Sequence, residues 1–389
     1  MNKLEKLIKE LCPIGVEYIK IDDVFLQFPG MTGVSKKWKE SGNCKFIDYM
    51  NVYKNLKVDV NRLENATVKN IKQNKLCKGD ILLTSASEIP EECAISSVIE
   101  DDIEDGIFLD DHLFALRLKN EYKNIINPIF INYYMHSFKF RKFLNKCTRG
   151  VTRFYISMKD FMKMYLPVPP IEVQNEIVQI LDSFTELEAE LEAELEVRLS
   201  QYDYYRDALL NDFENYMKLD SIVNNVFSGK NKIRGNNLKY PVYGSTGIIS
   251  STNDFVYDKE QILVARVGAN AGFVHLASGK YDVSDNTIII DVKENYNLKF
   301  LYYFLQNYGI NKLARGGGQP LITSTQIKNI KIPNISIIEQ KKIVSILDRF
   351  DKLCNDITQG LPAEIEARKK QYEYYRDKLL DFKELKVEK

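Results

Sequence analysis

The sequence predicts an α+β chain with mainly antiparallel sheet, built as a pseudo-twofold repeat of one unit: a globular domain followed by a long helix. Three observations carry this: an internal repeat, two leucine- and isoleucine-rich helical stripes, and strand-like runs divided by turn residues. The repeat comes first. Leu166-Pro-Val-Pro-Pro-Ile-Glu-Val-Gln174 through Asp182 and Phe184 matches Ile332-Pro-Asn-Ile-Ser-Ile-Ile-Glu-Gln340 through Asp348 and Phe350 at an offset of 166. Gln201-Tyr-Asp-Tyr-Tyr-Arg-Asp207 matches Gln371-Tyr-Glu-Tyr-Tyr-Arg-Asp377 at an offset of 170. Weaker echoes run upstream: Arg149-Gly150 with Arg315-Gly316, Phe130–Tyr134 with Phe300–Phe304, and Tyr18–Asp22 with Tyr216–Asp220. The boundaries that follow are domain 1 over 1–165, a spacer helix over 166–215, domain 2 over 216–331 and a C-terminal helix over 332–389.

Pro167, Pro169 and Pro170 cannot sit inside a helix but suit the lead into one. Beyond them Ile177, Leu181, Phe184, Leu187, Leu191 and Leu195 recur every three or four residues, the spacing of a buried stripe. A helix from Ile171 to Asn211 would be roughly 60 Å long at about 1.5 Å per residue. The second copy offers Ile343, Leu347, Phe350 and Leu353, with a break expected at Gly360 and Pro362. Neither stripe can stay solvated alone, so the two helices are expected to pair as a coiled coil. Periodicity leaves parallel and antiparallel pairing open, and equally a hairpin that serves only for dimerisation.

Strand-like runs fill both globular halves: Asp80–Thr84, Leu113–Leu118, Gln261–Arg266 and Asn286–Asp291. A helix is expected in each, over Pro128–Asn145 and Asn297–Leu313. Basic residues gather at the loops: Lys36 and Lys37 beside Trp38, Arg149 and Arg153, Lys230, Lys232 and Arg234, Arg266, and Arg315 with Gln319. Arg and Gln can read base edges bidentately and Lys meets phosphates, so these are the candidate DNA contacts. Arg149 and Arg315 hold equivalent places in the two copies and are the best supported.

Overall charge argues against a nucleic-acid binder: 54 Lys+Arg balance 54 Asp+Glu. By segment the result differs. Residues 1–165 hold 26 Lys+Arg against 22 Asp+Glu, and 218–331 hold 14 against 8. Residues 166–217 hold only 2 against 13. Two basic domains thus flank an acidic helix, and screening over about 8–10 Å makes the local charge the relevant one.

Catalytic signatures are missing. Six cysteines without a CxxC pair and three scattered histidines give no metal-site spacing, and point to a reducing cytoplasm. No Walker loop is present, and no apolar run approaches the about 18 residues of a membrane helix. Asn127-Pro-Ile-Phe130 is similar to the Asn-Pro-Pro-Phe/Tyr element of adenine methyltransferases, but Pro128 as a helix start explains it better. The residues alone leave room for a coiled-coil adaptor without DNA specificity, or a degenerate fused DNA methyltransferase or nuclease.

On Leu166-Pro-Val-Pro-Pro with Glu172, Gln174, Ile177, Leu181 and Asp182, on Gln201–Leu210, and on their second copies, the chain resembles the specificity subunits of type I restriction-modification systems. The resemblance spans the whole chain. It implies two target-recognition domains, each reading half of a split double-stranded DNA site, held apart by an antiparallel coiled coil. It further implies no catalytic activity, cofactor or membrane contact of the chain's own. S-adenosylmethionine and ATP would belong to the partners, two methyltransferase subunits and motor-nuclease restriction subunits, in the cytoplasm. The doubled Leu-Glu-Ala-Glu tract from Leu187 resembles the family's spacer-tuning repeats, where one four-residue unit changes the span by about 6 Å.

Overall fold

The structure is a computed structural model that describes residues 3–32, 42–67, 73–232, 235–236, 238–316, 319–356 and 358–385. The chain divides into two compact units: Met1–Glu190 with Glu366–Lys389, and Leu191–Ile365. The single helix Ile171–Asn211 contributes its first half to unit 1 and its second half to unit 2.

In unit 1 a four-stranded antiparallel sheet runs in the order Phe25–Pro29, Leu113–Leu118, Ile81–Thr84, Ser96–Val98. Alternate residues of a strand face opposite ways, and here both faces are covered. Ile81, Leu83, Phe114 and Leu116 pack with the helix Pro128–Met135 and with Val173, Ile177 and Leu181 of the long helix. Leu82, Leu113 and Ala115 pack the other way, with Ile47 and Leu109 of a three-stranded sheet in which Cys44–Ile47 runs parallel to Ile107–Leu109.

Unit 2 repeats this plan. Its first sheet runs Val223–Ser228, Thr287–Val292, Gln261–Ala265, Val274–Ala277. Ile262, Val264, Ile288 and Ile290 face the helices, while Leu263 and Ile289 face Tyr281 and Val283. Tyr240–Gly244 runs parallel to Lys280–Val283, as its counterpart does in unit 1. Each unit also has a two-stranded ribbon leading into its helix, Glu17–Lys20 with Tyr165–Val168 and Tyr216–Lys218 with Lys331–Pro333. The echo between Tyr18 and Tyr216 is thereby explained: they pair with Pro167 and Pro333, which are 166 apart.

Buried polar side chains lock helix to helix at matching places. Gln174 is fully buried; its Oε1 accepts from the Asn127 amide at 2.8 Å, and its Nε2 donates to the carbonyls of Ile125 and Pro169. Gln340 does the same with the Asn297 amide at 2.7 Å and the Ile335 carbonyl. Asn127 and Asn297 then cap the helices Pro128–Met135 and Leu298–Tyr308. Pro128 at the first turn therefore serves as a helix start. One further turn along, the Tyr133 hydroxyl donates to Asp182 at 2.6 Å and the Tyr303 hydroxyl to Asp348 at 2.7 Å. Burial, with the carboxylate as second cause, pushes both phenols well above their usual range, so they stay protonated as donors.

The two long helices pair antiparallel. In unit 1 Phe184 stacks on Tyr375 at 5.5 Å, and one turn on Glu188 meets Lys369, earlier in the partner helix Leu361–Leu379. In unit 2 Tyr205 stacks on Phe350 at 5.5 Å and Tyr202 lies at 6.2 Å from it. Leu210 and Leu347 are fully buried in the same core.

Three expectations are corrected. The stripe does not run unbroken through the long helix: Leu187 is exposed and Leu191 and Leu195 are only half-buried. A leucine every four residues gains about 40° per repeat on a helix of about 3.6 residues per turn, so the tetrad tract drifts off the buried line. Leu353 is exposed too; Cys354, four residues after Phe350, carries the buried line instead. The helix expected over Pro128–Asn145 is two, because Ser137 accepts from the Phe140 amide and starts a new one, Phe138–Leu144. The break at Gly360 holds: a Cβ there would lie 2.6 Å from the Lys352 carbonyl oxygen, so the turn after Ile337–Asn355 requires glycine.

Candidate nucleic-acid interface

In each unit three separate segments lie side by side at one edge, joined through their backbones. In unit 1 the Ser85 amide donates to the His112 carbonyl at 3.1 Å. The Ile156 amide donates to the Ser85 carbonyl at 3.3 Å, and Tyr155 pairs with Arg149 across a hairpin. In unit 2 the Arg266 amide donates to the Asn286 carbonyl at 2.9 Å and the Ile322 amide to the Arg266 carbonyl at 2.9 Å. Leu321 pairs with Arg315. Tyr155 and Leu321 are 166 apart, as are Arg149 and Arg315, so the two ladders have one register and differ in side chain at Tyr155 and Leu321, Ser85 and Arg266, and His112 and Asn286.

Both hairpins turn on a glycine. Gly150 has φ +126° and Gly316 φ +111°, in the left-handed region that side chains other than glycine avoid. At Gly150 a Cβ would fall 2.1 Å from the Arg153 carbonyl oxygen. The Arg-Gly echo is therefore a backbone requirement at the glycine and a free choice at the arginine.

A close approach of the first strand completes the edge. The Gly30 amide donates to the Leu113 carbonyl and the Gly229 amide to the Thr287 carbonyl. A Cβ on Gly30 would lie 1.9 Å from the Asp110 carbonyl oxygen, and one on Gly229 2.3 Å from that of Val283. The next residues, Met31 and Lys230, bond equivalent carbonyls, Leu109 and Val283. Lys230 and Lys232 thus leave the sheet beside the ladder, both exposed.

Of the candidate DNA contacts, the fold brings together Arg149 and Arg153 in unit 1, and Lys230, Lys232, Arg266, Arg315 and Gln319 in unit 2. Arg149 is exposed but engaged, 3.0 Å from Asp160 and donating to the carbonyls of Lys146 and Thr148. Arg153 is exposed and close enough to Tyr49 to act on its phenol, which burial raises more than the arginine lowers it. Arg266 is half-buried and reaches the Ser228 hydroxyl at 3.4 Å, while Arg315 and Gln319 are exposed. Lys36, Lys37 and Arg234 lie outside the described residues. Of the coiled-coil candidates, Ile177, Leu181 and Leu347 are fully buried, and Phe184, Ile343 and Phe350 pack against those cores.

Sequence reasoning missed Ser85, His112 and Tyr155 in unit 1 and Asn286 in unit 2. The signal for Tyr155 was the offset of 166 itself. For His112 it was Asp110-Asp111-His112 set against Ser284-Asp285-Asn286, which share the central aspartate.

Two copies of one scaffold, each with a glycine-turned ladder whose polar side chains vary, define a class: a duplicated recognition protein. Comparison with known proteins narrows it. The family model for the type I restriction modification DNA specificity domain matches twice, over residues 13–199 and 212–367. The chain is 27% identical to the EcoprrI type I restriction enzyme specificity subunit of Escherichia coli, over 92% of this chain and 93% of that one. It is 32% identical to a putative type I restriction enzyme specificity subunit of Haemophilus influenzae, over 67% of this chain and 74% of that one. In fold it is similar to the crystal structure of a type I restriction-modification S subunit from M. genitalium, with TM-score 0.56, 17% identity, and 94% and 96% of the two chains covered. A structure from a study of type I complex assembly gives TM-score 0.59 at 15% identity, covering 94% and 97%. The chain belongs to the type I restriction-modification DNA specificity family, and its role is DNA sequence specificity.

Proposed function

We propose that each unit reads one half of a bipartite duplex target, and that the chain positions two methyltransferase subunits, and in the restriction complex motor-nuclease subunits, over that target. The observation that carries this is the pair of ladders, equal in backbone register and unequal in side chains. A scaffold that reads one sequence twice has no need of Ser85 and His112 in one copy against Arg266 and Asn286 in the other.

Two equal partners suit a second feature. Tyr204 and Tyr205 meet edge-on at 5.5 Å, and Tyr374 and Tyr375 do so at 5.3 Å. All four are exposed, in a segment nearly identical between the copies. Exposed aromatics that are kept where the globular domains diverge fit a docking place used twice. In this reading the chain carries out no chemistry itself. S-adenosylmethionine and ATP are bound by the partners, the target adenine is flipped into the methyltransferase, and the complex works in the cytoplasm.

Duplex binding by the chain assembled with its methyltransferase tests the reading. Affinity should fall steeply with salt and favour one split sequence. Binding without sequence preference, or none at any salt, would sink it. Deleting Leu191–Glu194 removes about 6 Å of helix and should shorten the preferred spacer while both half-sites stay the same.

A further inference from the structure

We propose that the turn residues His112 and Asn286 are matched base-reading positions, one in each half-site, and that each recognises an exocyclic amino group of adenine or cytosine. The inference rests on the proposed reading of DNA by both units and names residues within it.

The equivalence is geometric. Leu109 pairs with Ile47 and Val283 with Tyr243 in the two parallel strand pairs, and each turn begins at the next residue. The Asp110 amide donates to the Ile47 carbonyl and the Ser284 amide to the Tyr243 carbonyl. Each turn is then closed by its first side chain. Asp110 Oδ1 accepts from the His112 amide at 2.9 Å, and Ser284 Oγ from the Asn286 amide at 3.3 Å. The next strands start from Leu113 and Thr287, whose amides donate back to the Asp110 and Ser284 carbonyls. Through their own carbonyls His112 and Asn286 form the first rung of the two ladders, beside the strand ends Ser85 and Arg266.

Both side chains are exposed, and their chemistry selects a partner. His112 Nδ1 lies 3.0 Å from the carboxylates of both Asp110 and Asp111. A carboxylate only accepts, so Nδ1 carries hydrogen, and in that tautomer the outward Nε2 is the ring's acceptor. Asn286 offers an acceptor and a donor, the pair that meets adenine N6 and N7. Asp111 and Asp285 hold the same central position and repel phosphate, so the turns suit a base edge while the neighbouring arginines suit the backbone.

The test is methylation of a randomised duplex library by the full chain assembled with its methyltransferase, read by sequencing the methylated sites. The wild-type complex must give a bipartite motif; if it gives none, the proposed function itself fails. Given that motif, His112→Phe should relax one base pair in one half-site, with discrimination there falling about 10- to 100-fold. Asn286→Ala should do so in the other half-site. His112→Gln, which keeps an acceptor at the tip, guards against misfolding and should retain the preference in part. A uniform loss of methylation with the motif unchanged, or both variants altering one half-site, overturns the proposal.

Discussion

Unit 1 and unit 2 agree where the chain meets its helices and disagree where it meets solvent at the ladder. Gln174 and Gln340, Asp182 and Asp348, and Asn127 and Asn297 make corresponding contacts in the two units. Along the ladder Ile156 and Ile322 agree, as do Arg149 and Arg315, and the arginines differ in surroundings, Arg149 being tied to Asp160. The lesson is that one architecture can hold two specificities when its register is set by main-chain bonds. Backbone amides and carbonyls are the same in every residue, so rungs survive any side-chain exchange that leaves the glycines in place.

The largest test of this likeness is to remove the clamps. Gln174→Leu would leave one amide and two carbonyls without their buried partner, and Gln340→Leu one amide and one carbonyl. Losses of about 3 and about 2 kcal/mol are expected at about 1 kcal/mol per group, the low end of the cost of an unsatisfied group, because Ile125 is itself exposed. Denaturant titration gives the sums. Hydrogen exchange at the Asn127 and Asn297 amides localises them, and protection that is unchanged in either variant would show the clamp to be idle.

Acid should strain both units. Burial lowers His136 in unit 1 and His275 in unit 2 to about 4 from an ordinary 6.5. Between those values the unfolded chain binds protons that the folded chain refuses, so stability is present above about pH 6.5 and is lost as pH falls towards 4. His136, whose Nε2 sits 2.8 Å from the Ser96 carbonyl oxygen, should account for about 2 kcal/mol of that loss between pH 7 and 5. His136→Gln should flatten the profile measured by thermal melts from pH 7 to 5; an unchanged slope would contradict it.

The smallest expected effects separate the two arginines. Arg315→Ala should weaken one half-site by about 1–2 kcal/mol and Arg149→Ala the other by somewhat less. Arg149 must first leave Asp160, an exposed pair worth about 0–1 kcal/mol. Competition binding with single half-site mutants of the target reads this directly, and loss at the same half-site from both would break the comparison.

Much of this was legible. The repeat exposed the scaffold because helix and clamp residues are constrained by packing, so Gln174 and Gln340 stand out as identities 166 apart. Their role was not legible, since their partners lie 47 and 43 residues away, at the starts of other helices. The ladder was invisible for the opposite reason: its rungs are main-chain bonds that put no demand on Ser85, Arg266, His112 or Asn286. The leucine tetrads promised more burial than a helix of about 3.6 residues per turn can grant them. Ser137 looked like one polar residue within a helix and was the cap of the next.

Residues from the two ends of the sequence share one core: Leu4, Val16 and Ile21 pack in the same cluster as Tyr372, Leu380 and Phe382. The Val16 amide donates to the Lys383 carbonyl, and the Leu385 amide to that of Val16. On the ribosome this reverses the expected order. Unit 2 is contiguous and has all its residues once Ile365 has been made, while the domain synthesised first waits for a helix and strand still to be translated. A stop codon just after Ile365 would therefore do its harm in the unit whose first segment is made before unit 2.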